Sequence, residues 1–427
     1  MNHQDIKTPS PKNPIHEWPE PMSRAPKWAR ALGVTLLMQV TSTFLAQAMP
    51  VIAPTLTAAA GVPPENIGAL SSIISLGTLW FLASGHVLLP RWGAVRVLQV
   101  GSVLGAVGVL VGLTGSWPAM MAAALLLGLA YGPAPPAGSD ILMRHSPRSR
   151  RALIFSTKQA GAPFGSAVAG LVLPGLVAAA GWRWALVVTA VVSAASAFMV
   201  EPWRREIDSE RQPAGGSLLL ELLSIRTAIL PFRVIASSRP LLWLAGTGFS
   251  FACVQGCIFS FYVTYLNAGL GLSLTAAGTA FALLQAIGMV ARIAMGFLAD
   301  RLGSGVQALI YLGLGSCLAS VLAAALGLDL PWPAVLAISA VVGLIGVSWN
   351  GVFLAEVARL APEGRVSEVT SGTILLTFLG YVVAPAAFTA AIPVIGGYGA
   401  CFLAIAGLPL ISVAVLLRVK RMIGAGG

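Results

Sequence analysis

Long apolar stretches, separated by short polar loops, follow one another along almost the whole chain. Each holds about 20 or more residues, the length that an α-helix needs to cross the hydrocarbon core of a bilayer. There are twelve, in two groups of six with a polar interval between them: 28–51, 66–89, 95–115, 118–142, 152–176 and 183–201, then 241–266, 273–299, 304–327, 332–357, 367–391 and 398–419. The pattern predicts an all-α membrane protein with twelve transmembrane helices.

The distribution of basic residues predicts how these helices are oriented. Only 10% of the residues are charged, whereas a soluble domain carries about 25%. With a cytoplasmic N-terminus, 23 of the 26 Lys and Arg residues fall in cytoplasmic segments, Arg183 lies outside, and Lys158 and Arg292 lie within helices. The positive-inside rule therefore predicts that both termini are cytoplasmic, in the plasma (inner) membrane. It also explains the net charge of +11 without nucleic acid as a partner.

The polar segments predict the domain organisation. Residues 1–27 hold six prolines and lack an apolar centre, so we expect a disordered cytoplasmic tail rather than a signal peptide. Two six-helix bundles follow, 28–201 and 240–421, and 422–427 form a second tail. The segment 202–239 joins the bundles, and its apolar stretch with sparse charges predicts an amphipathic helix on the inner membrane surface. A plain linker is the alternative for this segment.

The two groups of helices are internal repeats of each other. Three residues of the loop after the fourth helix recur 215 positions later in the loop after the tenth, and Gly165 recurs as Gly380 at the same offset. Two residues after the second helix recur 210 positions later after the eighth. The recurring loop residues are Arg144, Pro147 and Arg150 at Arg359, Pro362 and Arg365, and Arg91 and Gly93 at Arg301 and Gly303. Parallel six-helix repeats are a known transporter architecture with the substrate site between the halves.

The sequence "GFLADRLG", Gly296 to Gly303, resembles the loop signature of the major facilitator superfamily. The resemblance covers about 28–421. It implies that Asp300 and Arg301 help to gate the cytoplasmic side, with Gly296 and Gly303 allowing close helix approach and a tight turn. The copy after the second helix keeps Arg91 but has Pro90 where the family has Asp, which predicts a weakened or replaced latch in that half.

Two charge pairs beside the repeated loops resemble the gating network of the same superfamily. Glu356 lies three residues before Arg359, and Asp140 lies four residues before Arg144. Residues at these spacings face each other on a helix, so plain intrahelical pairs are the alternative interpretation.

Two basic residues within helices are the main candidates for substrate contacts. Lys158 lies seven residues after Arg151, and Arg292 lies eight residues before Asp300, so both are expected roughly 10–12 Å inside the membrane. Two cations at one depth favour an anion between them, and Arg292 resembles the substrate arginine of monocarboxylate-type carriers. The alternatives are a carboxylate partner for Arg292 and snorkelling of Lys158 toward the headgroups.

Neutral polar residues on cavity-lining helices complete the candidate site. The resemblance implies that the first, seventh and tenth helices line the cavity, and these carry Gln47, Gln255, Tyr262 and Asn350. Amides and a phenol can orient a small polar ligand. Hydrogen bonds between helices are the alternative role for each of them.

These features predict a secondary active transporter that works by alternating access. The preferred substrate is a small, monocarboxylate-like organic anion coupled to protons, and the alternative is an exporter of drug-like or amphipathic compounds by proton antiport. The sequence shows no nucleophile–base pair, metal motif or phosphate loop, which disfavours a membrane-embedded enzyme or an ATP-driven pump. A non-transporting sensor would normally carry a soluble output domain, and the sequence shows none, which disfavours that class as well. We therefore expect no enzyme activity, cofactor or metal, and by family resemblance a monomer.

Overall fold

The computed structural model describes residues 26–209, 222, 235–236, 238–362 and 365–424. Within them, twelve helices are long and apolar enough to cross a bilayer. We number these as α1 Lys27–Val51, α2 Pro64–Ser84, α3 Ala94–Gly112, α4 Trp117–His145, α5 Leu153–Ala180, α6 Trp182–Met199, α7 Arg239–Gly269, α8 Leu274–Ala299, α9 Gly305–Ala325, α10 Trp332–Leu360, α11 Val369–Ile395 and α12 Tyr398–Met422. The prediction of an all-α membrane protein with twelve spanning helices is confirmed.

The surface of the helical body is apolar, as lipid contact requires. Phe198, Val394, Leu153 and Phe297 are between 68% and 83% exposed, and many other large apolar side chains lie on the same outer surface. A soluble monomer rarely exposes a continuous apolar surface larger than a few hundred Å². The chain is therefore a multi-pass membrane protein.

Glycines show that the two halves repeat each other in packing as well as in sequence. A Cβ on Gly128 would come within 2.0 Å of the Ile74 carbonyl oxygen, and a Cβ on Gly343 within 2.1 Å of the Leu284 carbonyl oxygen. These glycines are 215 positions apart, and their partners are 210 positions apart. Gly165 and Gly380 likewise press against the backbones of α1 and α7. Equivalent helices thus cross at equivalent points in both halves.

Two pseudo-symmetric contacts join the halves near one membrane face, which we call the closed face. A Cβ on Gly68 of α2 would lie 2.4 Å from the Pro385 carbonyl oxygen of α11. A Cβ on Gly278 of α8 would lie 2.3 Å from the Gly170 carbonyl oxygen of α5. The Thr389 hydroxyl also donates a 2.8 Å hydrogen bond to the Glu65 carbonyl oxygen across the same junction.

The opposite membrane face, which we call the arginine face, carries the loops after α2, α4, α8 and α10. These loops hold the repeated arginines Arg91, Arg150, Arg301 and Arg365. The contacts of Gly68, Gly278 and Thr389 join the halves toward the closed face. A cavity lies between the halves.

Two helices are interrupted at positions that the repeat relates. In α4 the helix restarts at Ala134 after Gly132 and Pro133, and in α10 it stops at Gly346 and restarts at Asn350. Gly132 and Val347 are 215 residues apart. Such breaks free backbone carbonyl groups, which membrane helices tolerate where another group or a cavity satisfies them.

The segment after α6 is tied to the N-terminal half as far as it is described. A short helix, Glu201–Ile207, follows α6, and Arg30 Nη1 lies 2.5 Å from Glu206 Oε2. Asp208 accepts hydrogen bonds from the N–H groups of Val95 and Arg96 at 3.0 and 3.1 Å. Residues 1–25 of the predicted tail 1–27, and most of the predicted amphipathic linker helix, lie outside the described residues. The last residue of that predicted tail, Lys27, begins α1.

Asp208 stabilises the N-terminus of α3, so its removal should weaken this half. Burial raises the pKa of the Asp208 carboxyl, while the two N–H donors favour the charged form. We expect Asp208→Ala to cost about 1–2 kcal/mol and to lower the thermal unfolding temperature in detergent, whereas Asp208→Asn keeps an acceptor and most of the stability. Equal unfolding temperatures for the two variants would contradict this role.

Candidate substrate site in the central cavity

A cavity of about 270 Å³ lies between the halves. Eight helices line it, four from each half: α1, α2, α4 and α5, then α7, α8, α10 and α11. The polar lining residues, including the aromatic ones with polar atoms, are Gln39, Thr43, Gln47, Ser71, Ser75, Thr78, Tyr131, Gln159, Ser166, Gln255, Ser260, Gln285, Arg292, Trp349, Asn350, Thr377 and Tyr381. Among the described lining residues, Arg292 carries the only charge.

Arg292 is held by the interruption in α10. Its Nε donates a 3.3 Å hydrogen bond to the Val347 carbonyl oxygen, which is free because α10 stops at Gly346. The phenols of Tyr131 on α4 and Tyr381 on α11 line the same cavity as Arg292. A guanidinium has five N–H donors, so one bond to Val347 leaves others for a ligand.

Gln255 joins three helices of the C-terminal half at the cavity wall. Its Oε1 accepts hydrogen bonds from Tyr381 Oη at 2.8 Å and from Asn350 Nδ2 at 3.3 Å. Beside this group, Trp349 packs edge-on against Phe251 and Phe353. The network fixes the amide of Gln255 and holds the α10 restart in place.

The N-terminal half contributes a neutral wall. Gln39 Nε2 donates to Thr43 Oγ1 at 3.2 Å, and both side chains face the Tyr131 phenol. Gln47 lies about two turns beyond Gln39 along α1, toward the closed face. Its Oε1 has no hydrogen-bond partner among the described residues.

Lys158 lies near the depth of Arg292 but does not line the cavity. Counted from the Gly170–Gly278 contact, the two residues lie 12 and 14 positions away, or about 18 and 21 Å along their helices. Lys158 is 2% exposed, and its Nζ donates to the Ala134 carbonyl oxygen at 3.2 Å and to Gln159 Oε1 at 3.3 Å. Its side chain packs on α4 within the N-terminal half, behind Gln159.

Of the other predicted contacts, three line the cavity and one does not. Gln47, Gln255 and Asn350 are lining residues, as is Arg292. Tyr262 is fully buried outside the lining, and its hydroxyl makes a 2.7 Å hydrogen bond with that of Ser339. Tyr262 has the inter-helix role that was the alternative for each of these residues.

The repeated loops have the tight turns that their glycines predict. Gly93 has a φ of 90° and Gly303 a φ of 60°, and residues with a Cβ rarely adopt this backbone conformation. Arg301 is exposed and Arg91 is half-buried. A Cβ on Gly296 would meet nothing within 4 Å, so the close approach expected there is absent in this conformation. The side chain of Asp300 lies outside the part that the structure describes.

The two predicted charge pairs form, and their surroundings differ. Arg359 Nε donates to Glu356 Oε2 at 3.0 Å, and Arg144 pairs with Asp140 four residues earlier. Glu356 is 2% exposed, and its carboxylate lies where a Cβ on Gly305 would come within 2.4 Å of it. Glu356 therefore presses against the N-terminus of α9, while the Asp140 pair stays at the surface.

Sequence reasoning missed several lining residues, above all Gln285, Gln159 and Tyr381. Gln285 lies seven residues before Arg292, which places it two turns away on the same face of α8. That spacing from an intramembrane arginine was the signal that could have identified it.

Two six-helix halves with a cavity between them are typical of membrane transporters. The solved structures that are similar include the nucleoside transporter NupG, with a TM-score of 0.73 and 14% identity over 91% of this chain and 99% of that one. A peptide transporter POT in complex with sulfate has a TM-score of 0.72 and 17% identity over 93% and 95%. These identities show the fold alone.

The sequence comparisons give the family. The model of the Major Facilitator Superfamily matches residues 34–385. An uncharacterized MFS-type transporter of Mycobacterium tuberculosis is 26% identical over 296 residues, 67% of this chain and 63% of that protein. The chain thus matches less than two thirds of the length of this relative. The chain belongs to the major facilitator superfamily, whose members are transporters and not enzymes.

Proposed function

We propose that this protein is a secondary transporter of the plasma membrane that carries a small organic anion by alternating access. The observation that supports this most is the charge of the cavity: among the described lining residues, Arg292 is a cation and no residue is a carboxylate. An uncompensated guanidinium in a membrane interior is costly, and a bound carboxylate offsets that cost through a bidentate pair.

The conformation fits one stage of an alternating-access cycle. With both termini in the cytoplasm, as the basic residues predict, the arginine face is cytoplasmic and the closed face is external. The contacts at Gly68 and Gly278 then close the external side, and the conformation corresponds to an inward-facing state in which the cavity is reached from the cytoplasm. We propose that residues near the arginine face gate it. They are the two charge pairs Glu356–Arg359 and Asp140–Arg144 and the loop residues Asp300, Arg301, Arg91, Gly296 and Gly303.

Lys158 completes the proposal from the N-terminal half. It lies near the depth of Arg292 and is separated from the cavity by Gln159, with which it shares a hydrogen bond. Closure of the arginine face moves α5 toward α8 and brings the two cations closer, so that an anion between them stabilises the closed form. Proton symport with a monoanion would make this movement electroneutral, which is the coupling that we propose.

The aromatic lining favours a second candidate function. Five aromatic residues give the cavity a surface that would suit drug-like or amphipathic compounds: Phe259, Phe353, Phe378, Trp349 and Tyr131. An exporter of such compounds by proton antiport is therefore the alternative. It predicts no preference for anions.

Ligand charge separates the two functions. Purified full-length protein would be titrated with matched small compounds, namely benzoate, benzamide and benzylamine, and ligand-dependent thermal shifts would be measured. We expect stabilisation by the anion only, and uptake of labelled benzoate into proteoliposomes that increases with an inward proton gradient. Stabilisation by benzylamine or benzamide with none by benzoate would overturn the anion proposal in favour of the exporter.

A further inference from the structure

Several buried polar atoms along the cavity wall have no hydrogen-bond partner among the described residues. These atoms are Gln47 Oε1, Ser71 Oγ, both amide atoms of Gln285, Trp349 Nε1 and Thr377 Oγ1. The five side chains are at least nine-tenths buried, and all five residues line the cavity. Burying a polar group without a partner costs roughly 1–3 kcal/mol. So many at one site indicate a ligand that supplies hydrogen bonds.

Gln285 is the most informative of these residues. It is 0% exposed, and neither its Nε2 nor its Oε1 has a partner, so it offers one donor position and one acceptor position side by side. It lies seven residues from Arg292 on α8, about 10 Å toward the closed face. Gln47 and Ser71 approach the same end of the cavity from α1 and α2. A ligand that pairs with Arg292 would extend toward these amide and hydroxyl groups.

The mixture of donors and acceptors limits what the far end of the ligand can be. An ammonium group donates only, and the described lining offers it no carboxylate. A second carboxylate accepts only, and the described lining offers it no second cation. A hydroxyl group both donates and accepts, so it can pair with Gln47 Oε1, with Ser71 Oγ and with either atom of Gln285. Hydroxyl groups match this set of atoms.

We infer that the ligand is a polyhydroxylated monocarboxylate, with its carboxylate at Arg292 and its hydroxyl groups toward Gln285, Gln47 and Ser71. This rests on the proposed anion function and names the substrate class for the same site. The cavity of about 270 Å³ lies just below the usual range for ligand pockets, which suits a compact acid.

Two acids with six carbons test the inference directly. Gluconate carries hydroxyl groups along its chain, hexanoate carries none, and glucitol has the hydroxyl groups without the carboxylate. We expect purified protein to bind gluconate about 10- to 100-fold more tightly than hexanoate, because a hydrogen-bonding site that meets an apolar chain leaves its buried groups unpaired. We expect glucitol to bind more weakly than gluconate.

Variants connect this preference to the named atoms. Gln285→Leu should lower gluconate affinity about 10-fold or more and leave hexanoate affinity unchanged or improved. Ser71→Ala is a milder second variant from the other half, in case Gln285→Leu does not fold, and it should move affinity in the same direction. Gln307→Leu is the matched control, because Gln307 lies outside the cavity and accepts a hydrogen bond from Lys420 at 2.5 Å.

The outcomes separate this inference from the proposed function. Equal affinity for gluconate and hexanoate would overturn the polyhydroxylated class. A gluconate preference that Gln285→Leu and Ser71→Ala both leave intact would overturn the placement of the hydroxyl groups at these residues. Either result would leave the anion proposal standing. Binding of glucitol as tight as that of gluconate would remove the need for a carboxylate and would overturn both. No binding of gluconate at millimolar concentration would also overturn the inference.

Discussion

Gly278→Val should abolish transport, because it should prevent the two halves from meeting at the closed face. A Cβ at this position would lie 2.3 Å from the Gly170 carbonyl oxygen and 2.5 Å from the Pro174 ring, and the backbone atom cannot rotate away. Valine adds two further methyl groups at the same point. The two halves would have to separate there, which shifts the population toward the state that is open at the closed face.

Cysteine accessibility measures this shift, and α8 itself supplies a matched control. Ser75→Cys places a thiol on the cavity wall, and a membrane-impermeant maleimide added at the closed face should label it only when Gly278→Val is present. The four native cysteines give the background in the parent without Ser75→Cys. Gly296→Val makes the same change on the same helix where a Cβ meets nothing within 4 Å, so it should leave labelling unchanged. Equal labelling of both variants would show that Gly278 does not hold the halves together.

The helices could be predicted from the sequence because the bilayer imposes a simple requirement on them. A spanning helix needs about 20 apolar residues, and each predicted stretch overlaps one of the twelve helices. The repeat was also visible, since Gly165 and Gly380 press against equivalent helices. The interruption of α10 was not predicted, because "GVSWN" contains no proline to mark it.

The cavity lining could be predicted only in part, because a membrane helix meets apolar surroundings on both sides. Lipid and protein core select the same side chains, so hydropathy does not reveal which face of α5 or α8 is turned inward. Arg292 and Lys158 illustrate this limit: both are intramembrane cations near one depth, but Arg292 faces the cavity and Lys158 packs on α4. The partners that distinguish them, Val347 and Ala134, lie on other helices.

The missing aspartate of the first loop has a structural counterpart that the sequence did not reveal. Pro90 replaces the residue that the family signature has there, and Asp208, which follows α6, binds the start of α3 directly after Gly93. In the other half, Glu356 of α10 presses against the start of α9. Each half thus has a carboxylate at the same helix terminus, supplied by different segments, which a comparison of loop sequences cannot detect.

Arg292→Met should remove organic-anion binding, with a loss of at least about 30-fold in affinity, because truncating one partner of a buried charge pair typically costs 2–5 kcal/mol. Arg292→Lys keeps the charge but loses the planar fork that binds a carboxylate at two points, so its affinity should lie between those of Met and wild type. The readout is the benzoate or gluconate concentration that produces a half-maximal thermal shift. Arg183→Met removes an exposed arginine that stacks on Trp182 and should bind like wild type.

A structural role for Arg292 predicts a different set of results. The hydrogen bond to the Val347 carbonyl oxygen supports the interruption in α10, so a purely structural arginine would lower the ligand-free unfolding temperature in both variants and leave the anion-induced shift intact. An anion contact does the reverse, because removing a half-buried, uncompensated charge from the membrane interior relieves a cost in the ligand-free protein. Unchanged or raised stability of Arg292→Met without ligand, together with a lost response to anions, is therefore the combination that only a substrate-binding arginine produces.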